Sequence, residues 1–252
     1  MLSFLFPNYK NFKVFSYSKE VTLEDLFFRP FSLKILKRSP SHIAFILYSH
    51  DNLEKPLYFL KSYHPRLFKR NRIKALIQNL EELTRRKVPL IFPLFAFYEN
   101  PLFSFLKKTP FFGGVVFPYL ERGFLRKEDF LKESSSNLLE KLTEFILGLH
   151  QKGILLGDTK YNNFYYTKCE GFKIFDLDGV KLLKSAPSTK ERLKDLSALA
   201  MTLEWSGLKG TSSKILEIYI HVCGNISPDE KKFFLNCIEK KRKKRMKKLG
   251  LI

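Results

Sequence analysis

Residues Leu149 to Asp178 read LHQKGILLGDTKYNNFYYTKCEGFKIFDLD, and the rest of the chain is read outward from them. The stretch opens on the end of an amphipathic helix. Leu138, Leu139, Leu142, Phe145, Ile146 and Leu149 share one face up to His150, and Gly153 stops it. Asn137 with Glu140 reads as a capping box at its start. A tight polar turn carries Gly157, Asp158 and Lys160, with Asn163 five residues after the aspartate. A hairpin follows, roughly Phe164 to Lys168 and Phe172 to Phe175, turning at Glu170-Gly171 and delivering Asp176 at a strand end. Taken singly, Gly-Asp before two asparagines is an ordinary polar turn, and Asp-Leu-Asp an ordinary strand end. The ordered set in one short window is fairly specific.

Toward the N-terminus, the apolar runs Ser32 to Leu36, His42 to Tyr48 and Leu57 to Ser62 predict a three-stranded meander, broken at Ser39-Pro40, Asp51-Asn52 and Pro56. Arg66 to Arg86 reads as a helix with Leu76, Leu80 and Leu83 on one face, limited by Pro89. Strands are expected around Ile91 to Tyr98 and Gly114 to Leu120, with a loop from Glu99 to Thr109. Toward the C-terminus, helices are expected over Lys190 to Trp205 and Ser212 to Val222, with Gly207 and Gly224 as stops. Ser227-Pro228-Asp229-Glu230 opens a last helix. The expected fold class is α+β, a β-rich half and an α-rich half around a cleft. Residues 1–25 read as an extension, 26–118 as the first lobe and 119–252 as the second, with a basic helix or tail over 239–252.

Lys and Arg total 45 against 25 Asp and Glu, a net charge of +20 over 252 residues. Such a field attracts polyanions without choosing among them. Cys169, Cys223 and Cys237 are odd in number and widely spaced, which excludes a disulfide framework or zinc knuckle and fits a reducing, cytosolic compartment. Met1 to Phe12 is broken by Pro7 and lacks the basic start of a signal peptide. Val88 to Tyr98 is too short to span a bilayer, which takes about 20 apolar residues.

The central stretch resembles the catalytic core of the protein-kinase-like superfamily: a helix ending LHxxG, then Asp158, Lys160 and Asn163, a hairpin, and Asp176. The resemblance implies a bilobal fold, an antiparallel β-sheet N-lobe plus a mainly helical C-lobe, and a reaction using ATP and Mg²⁺. Asp158 would orient the attacking hydroxyl and take its proton, and Lys160 would neutralise the transferred phosphate. Asn163 and Asp176 would hold Mg²⁺, with Asp178 reaching a second metal or capping the next turn. Lys61, on the third strand, would hold the nucleotide phosphates, with Gln78, Glu81 or Glu82 as its helix partner. Glu121, in the run after Pro118, would lie at the adenine. The turn Lys37 to Ser41 contains no glycine, so backbone N–H groups, a hydroxyl of Ser39 or Ser41, or the basic pair Lys37-Arg38 would stand in for a glycine-rich phosphate loop. Leu156-Gly157 stands directly before Asp158 where the superfamily has His-Arg, and only Gly179 to Thr189 separates the metal aspartate from the next helix, leaving little platform for a peptide.

YFLKSY, GDxKxxN, DLDGV and ERLKDLSAL together are similar to the lipopolysaccharide core kinases of the Kdo/WaaP type. That resemblance implies phosphorylation of a Kdo or heptose hydroxyl on the lipid A inner core, at the inner face of the cytoplasmic membrane. By the same likeness Asp195 would hold the catalytic-loop backbone from below. Lys240 to Lys248 carries eight basic residues in nine positions, suited to an anionic membrane surface. Nucleic acid is not expected, since no zinc finger or RNP-like motif is present. An atypical RIO-like protein kinase, a pseudokinase and a basic nucleic-acid-binding module remain the alternatives.

Overall fold

Alternating apolar residues in the first half build one six-stranded antiparallel sheet. In this computed structural model the described residues are 5–6, 9–18, 21, 23–50, 54–65, 71–100, 109–131 and 137–252. The strands are β1 (Lys13–Ser16), β2 (Phe31–Arg38), β3 (His42–Ser49), β4 (Pro56–Tyr63), β5 (Phe95–Tyr98) and β6 (Gly113–Pro118), in the order β1-β5-β6-β4-β3-β2. The meander β2-β3-β4 forms as the sequence predicts, with a bulge between Ile35 and Lys37. In β3, Ala44 to Leu47 are all buried, because both faces of the sheet are covered there.

On one face, Phe45, Leu47, Leu60, Phe95, Phe97 and Val116 pack with Phe6, Leu26, Phe27 and Phe111. The Phe6 and Phe97 rings meet edge-on at 5.0 Å, and those of Phe27 and Phe97 at 5.4 Å. The stretch read as an N-terminal extension therefore supplies a core ring, Phe6, and a sheet strand, β1. The short helix α1 (Leu23–Phe28) brings Leu26 and Phe27. The other face meets helix α2 (Arg72–Arg85): a Cβ on Gly113 would lie 2.8 Å from Ile73 Cδ1. Asn71 starts this helix by accepting the Lys74 N–H at 3.0 Å. Residues Arg66 to Arg70 of the predicted helix lie outside the described residues, as does most of the predicted loop Glu99 to Thr109.

The remaining elements are α3 (Leu138–Gln151), β7 (Ile154–Leu155), the hairpin β8 (Phe164–Thr167) and β9 (Gly171–Ile174), β10 (Lys181–Leu182), α4 (Thr189–Trp205), α5 (Thr211–Cys223) and α6 (Pro228–Lys248). Residues 1–81 with 91–122 make one compact unit, and 82–90 with 123–252 a second. In the second, every residue of α4 from Asp195 to Leu203 is buried, the mark of a central helix. It packs on α6, and α3 packs on α5. The capping box read at Asn137 does not form. Asn137 has helical backbone angles, so its side chain makes no cap bond. Boxes do form at Ser188–Glu191 and Ser227–Glu230, where extended φ, ψ aim the serine oxygen at the third residue. Among the described residues no helix is long and apolar enough to cross a membrane.

Candidate active site

Helix α3 ends at Gly153, whose φ of +73° turns the chain into β7. β7 pairs with β10, which binds the start of the loop to the segment after Asp178. The loop then passes over α4, where Asp195 is 5% exposed. Its carboxylate accepts the N–H of Leu156 at 2.9 Å, the N–H of Gly157 at 2.7 Å, and lies 2.9 Å from His150 Nε2. The Thr159 hydroxyl donates to the Asp195 carbonyl. A buried carboxylate persists only when its oxygens are this fully bonded. Asp195 is thus the anchor of the loop, the structural role the sequence assigned to it. The role of His150 was missed; its only sequence signal is its place in LHxxG.

Gly157 also has φ +73°, and a Cβ there would sit 2.6 Å from Gly179 O; a Cβ on Gly179 would sit 2.8 Å from Leu156 O. Both glycines are needed, because two backbones touch at that point. One belongs to the loop that carries Asp158, the other to the turn that carries Asp176 and Asp178. A second tie is the Phe175 N–H, which donates to Asn163 O at 3.0 Å. The structure therefore brings the segments of Asp158, Lys160, Asn163, Asp176 and Asp178 together.

Within this cluster, Lys160 Nζ lies 2.7 Å from Asp158 Oδ2, with side chains 40% and 45% exposed. So open a pair adds within about 1 kcal/mol to stability. Asn163 Nδ2 donates to Asp158 O at 2.7 Å, which leaves its Oδ1 as the oxygen able to meet a cation. Asp176 Oδ1 accepts the Asp178 N–H at 3.2 Å and shapes the turn; Asp178 is exposed. Among the described residues no three His, Cys, Asp or Glu side chains group to hold a metal. One carboxylate and one amide oxygen suit Mg²⁺, which keeps several waters and is shared with phosphates.

The remaining predicted residues lie in the sheet unit. Lys61 on β4 is 8% exposed, opposite Val115 and Ala44, with its ammonium 5.7 Å from the Tyr63 ring centre. It has the parity of Tyr63 and Gly113, the face on which Ile73 of α2 sits. Gln78 and Glu81 are exposed. Glu82 is taken by its own helix: Arg85 reaches it at 2.7 and 2.8 Å and Arg86 at 2.7 Å, which holds its carboxyl at about 2, well below the usual value. The hydroxyls of Ser39 and Ser41 are engaged around their own turn. Ser39 Oγ lies 3.0 Å from His42 Nδ1, and Ser41 Oγ accepts from Arg72 at 3.1 Å. Glu121 is exposed in the bend after β6.

The basic run Lys240 to Lys248 is no tail. It is the second half of α6, and its charges divide between two faces. Arg242 pairs with Glu204 at 3.0 Å and Arg245 lies 4.8 Å over the Trp205 ring, both toward α4. Lys231, Lys232, Lys240, Lys243, Lys244, Lys247 and Lys248 are exposed. Four of them line a shallow groove of ≈ 500 Å³ with Asn236 and Glu239. Lys241, half-buried between the faces, feels the charges of Asp158 and Asp195, a link the sequence reading missed. No protein-family model matches the chain, and no curated protein matches it.

Proposed function

We propose that the chain is an ATP- and Mg²⁺-dependent kinase of protein-kinase-like, two-lobed fold that phosphorylates a sugar hydroxyl, Kdo or heptose, of the lipopolysaccharide inner core. The observation that carries this reading is the Asp195-anchored loop, which fixes Asp158 and Asn163 against the segment bearing Asp176. Phosphoryl transfer asks a protein mainly for positioning and charge neutralisation, and this cluster supplies both. Asp158 orients the acceptor hydroxyl and takes its proton as the oxygen attacks the γ-phosphorus; ADP leaves. Lys160, paired with Asp158 at rest, turns to the transferred phosphoryl oxygens. Asn163 Oδ1 and Asp176 are assigned to Mg²⁺, which neutralises phosphate charge when bound. Lys61, buried on β4, is assigned to the nucleotide phosphates. Ser39 and Ser41 remain assigned to the nucleotide phosphates, Glu121 to the adenine, and Asp178 to a second metal or the cap of the next turn.

The exposed lysines of α6 support a place on an anionic leaflet, the inner face of the cytoplasmic membrane. Leu249, Leu251 and Ile252 beside them are 56–62% exposed, an apolar edge of use to a lipid surface and of none to a nucleic acid backbone.

The test is labelled ATP with a lipid A–Kdo acceptor and mapping of the product. Transfer by the wild type is expected, with loss of at least about 1,000-fold in Asp158→Ala at unchanged melting temperature. Asp176→Ala is expected to lose Mg²⁺-dependent nucleotide binding. Full transfer in Asp158→Ala, or a wild type that binds Mg²⁺ and ATP and phosphorylates no glycolipid, overturns the reading.

A further inference from the structure

Arg192 stands on the first turn of α4, half-buried, where that helix packs against α5. Its guanidinium lies 5.4 Å over the ring centre of Tyr219 on α5. The stack serves the flat face of the cation and none of its N–H groups. Among the described residues those groups have one hydrogen bond, from Nη2 to the Thr189 hydroxyl, and its 3.5 Å is long. Nε is buried with no acceptor. Nη1 has no acceptor either, and it is not among the buried atoms, so it opens to solvent. The neighbouring acids are engaged elsewhere. Glu191 accepts from the Ser188 N–H at 2.9 Å and its hydroxyl at 2.8 Å, and Glu230 accepts the Ser227 N–H at 2.9 Å.

Tyr219 is a second, independent sign. It is 1% exposed, and its hydroxyl has no partner at hydrogen-bonding distance; Thr189 acts on it from farther off. A buried phenol ordinarily finds a partner. Arg192 and Tyr219 thus both address the Thr189 hydroxyl, which satisfies neither. The setting is dry: burial pushes the Tyr219 phenol and the Cys223 thiol above their ordinary values. A partly desolvated cation with idle donors is unfavourable unless something accepts from them. The parts present are those an oxyanion needs: a planar fork, two hydroxyls, and the N-terminal end of a 17-residue helix.

We infer that Arg192, with Thr189 and Tyr219, forms a binding site for a small oxyanion, a phosphate or a carboxylate, separate from the loop of Asp158. The anion takes Nη1 and Nη2 end-on and displaces the long bond to Thr189. The Thr189 hydroxyl then donates to the anion and accepts from Tyr219, so the buried phenol gains its partner without touching the ligand. Asp195 lies three residues after Arg192, on the same side of α4, so the site adjoins the turn of helix that anchors the loop. The inference stands whether or not the chain is a kinase.

The experiment uses the full-length protein labelled on arginine, titrated at fixed ionic strength with sodium phosphate, sodium acetate and, as control, sodium chloride. The Arg192 Nε–H resonance, assigned by its absence in Arg192→Lys, should move and saturate with a Kd below about 10 mM for at least one oxyanion and stay still in chloride. Movement with phosphate alone assigns a tetrahedral dianion, and movement with both assigns any small oxyanion. Arg192→Lys keeps the charge and loses the fork, and should weaken binding at least about tenfold, read as a smaller rise in melting temperature with the anion. Tyr219→Phe keeps the ring under the guanidinium and should weaken binding about three- to tenfold. A resonance unmoved by either oxyanion up to about 50 mM, or moved as far by chloride, overturns the inference without any variant. So does an anion-dependent rise in melting temperature that is the same in wild type and Arg192→Lys.

Discussion

Asp195 Oδ1 accepts the backbone N–H of Gly157 at 2.7 Å, and the residue after Gly157 is Asp158. One buried carboxylate on α4 thereby sets the conformation of the loop on which the proposed chemistry depends. Asp195→Ala would strand two N–H groups, one of them fully buried, and leave His150 without its partner. A loss of about 3–5 kcal/mol is expected in urea unfolding. Asp195→Asn keeps one oxygen acceptor and should lose less. Equal losses would mean that the retained oxygen acceptor contributes nothing without the charge.

Gly157 and Gly171 have nearly the same backbone, φ +73° and +72°, in different surroundings. A methyl group on Gly171 meets nothing within 4 Å, whereas on Gly157 it meets Gly179 O at 2.6 Å. Gly171→Ala should cost about 1 kcal/mol, from left-handed backbone strain alone. Gly157→Ala should cost more by about 1–3 kcal/mol and lower activity as well, because the two loops must part. Denaturation midpoints of the pair measure the difference directly.

Glu82 is an acid-sensitive joint. Its ordinary carboxyl value is 4.5, and bonds from Arg85 and Arg86 bring it to about 2 in the folded chain. A depressed value means stabilisation that is complete above pH 4.5 and lost as pH falls toward 2. Arg86 also donates to Lys152 O at 2.6 Å, so the joint secures the end of α3. Glu82→Gln should be less stable than wild type at pH 7, and the gap should close between about pH 5 and 2. A gap independent of pH in urea titrations would contradict the assignment.

The outward lysines of α6 give a separable prediction. Changing Lys240, Lys243, Lys244 and Lys247 to Gln removes four charges facing solvent. At about 1 kcal/mol per charge near an anionic leaflet, binding to vesicles with 30% phosphatidylserine should fall about 1,000-fold at low salt. Melting temperature should not move, as none of the four is buried. Cosedimentation unchanged from wild type would remove the membrane role from this face.

The meander, the hairpin and the three last helices were legible because each rests on local pattern and local punctuation. Ser227 capped its helix as read, since the following proline holds the chain extended where a cap requires it. Asn137 offered only the comparable spacing to Glu140, and its backbone went helical. Phe6 and β1 were missed because their partners, Phe97 and β5, lie more than eighty residues away. The spacing of Asp158, Asn163 and Asp176 could be read because one loop and one hairpin carry them all. Lys241 could not: it sits in a run of like charges, and only the rotation of α6 on α4 separates inward from outward positions.

That rotation bears on how the protein can be cut. A protease or a designer that severs the chain after Ile238 strips away two clasps along with the lysines, Arg242 from Glu204 and Arg245 from Trp205. The trimmed product would expose one flank of the most deeply packed helix in its unit, and its failure to bind a vesicle would register collapse instead of lost attraction.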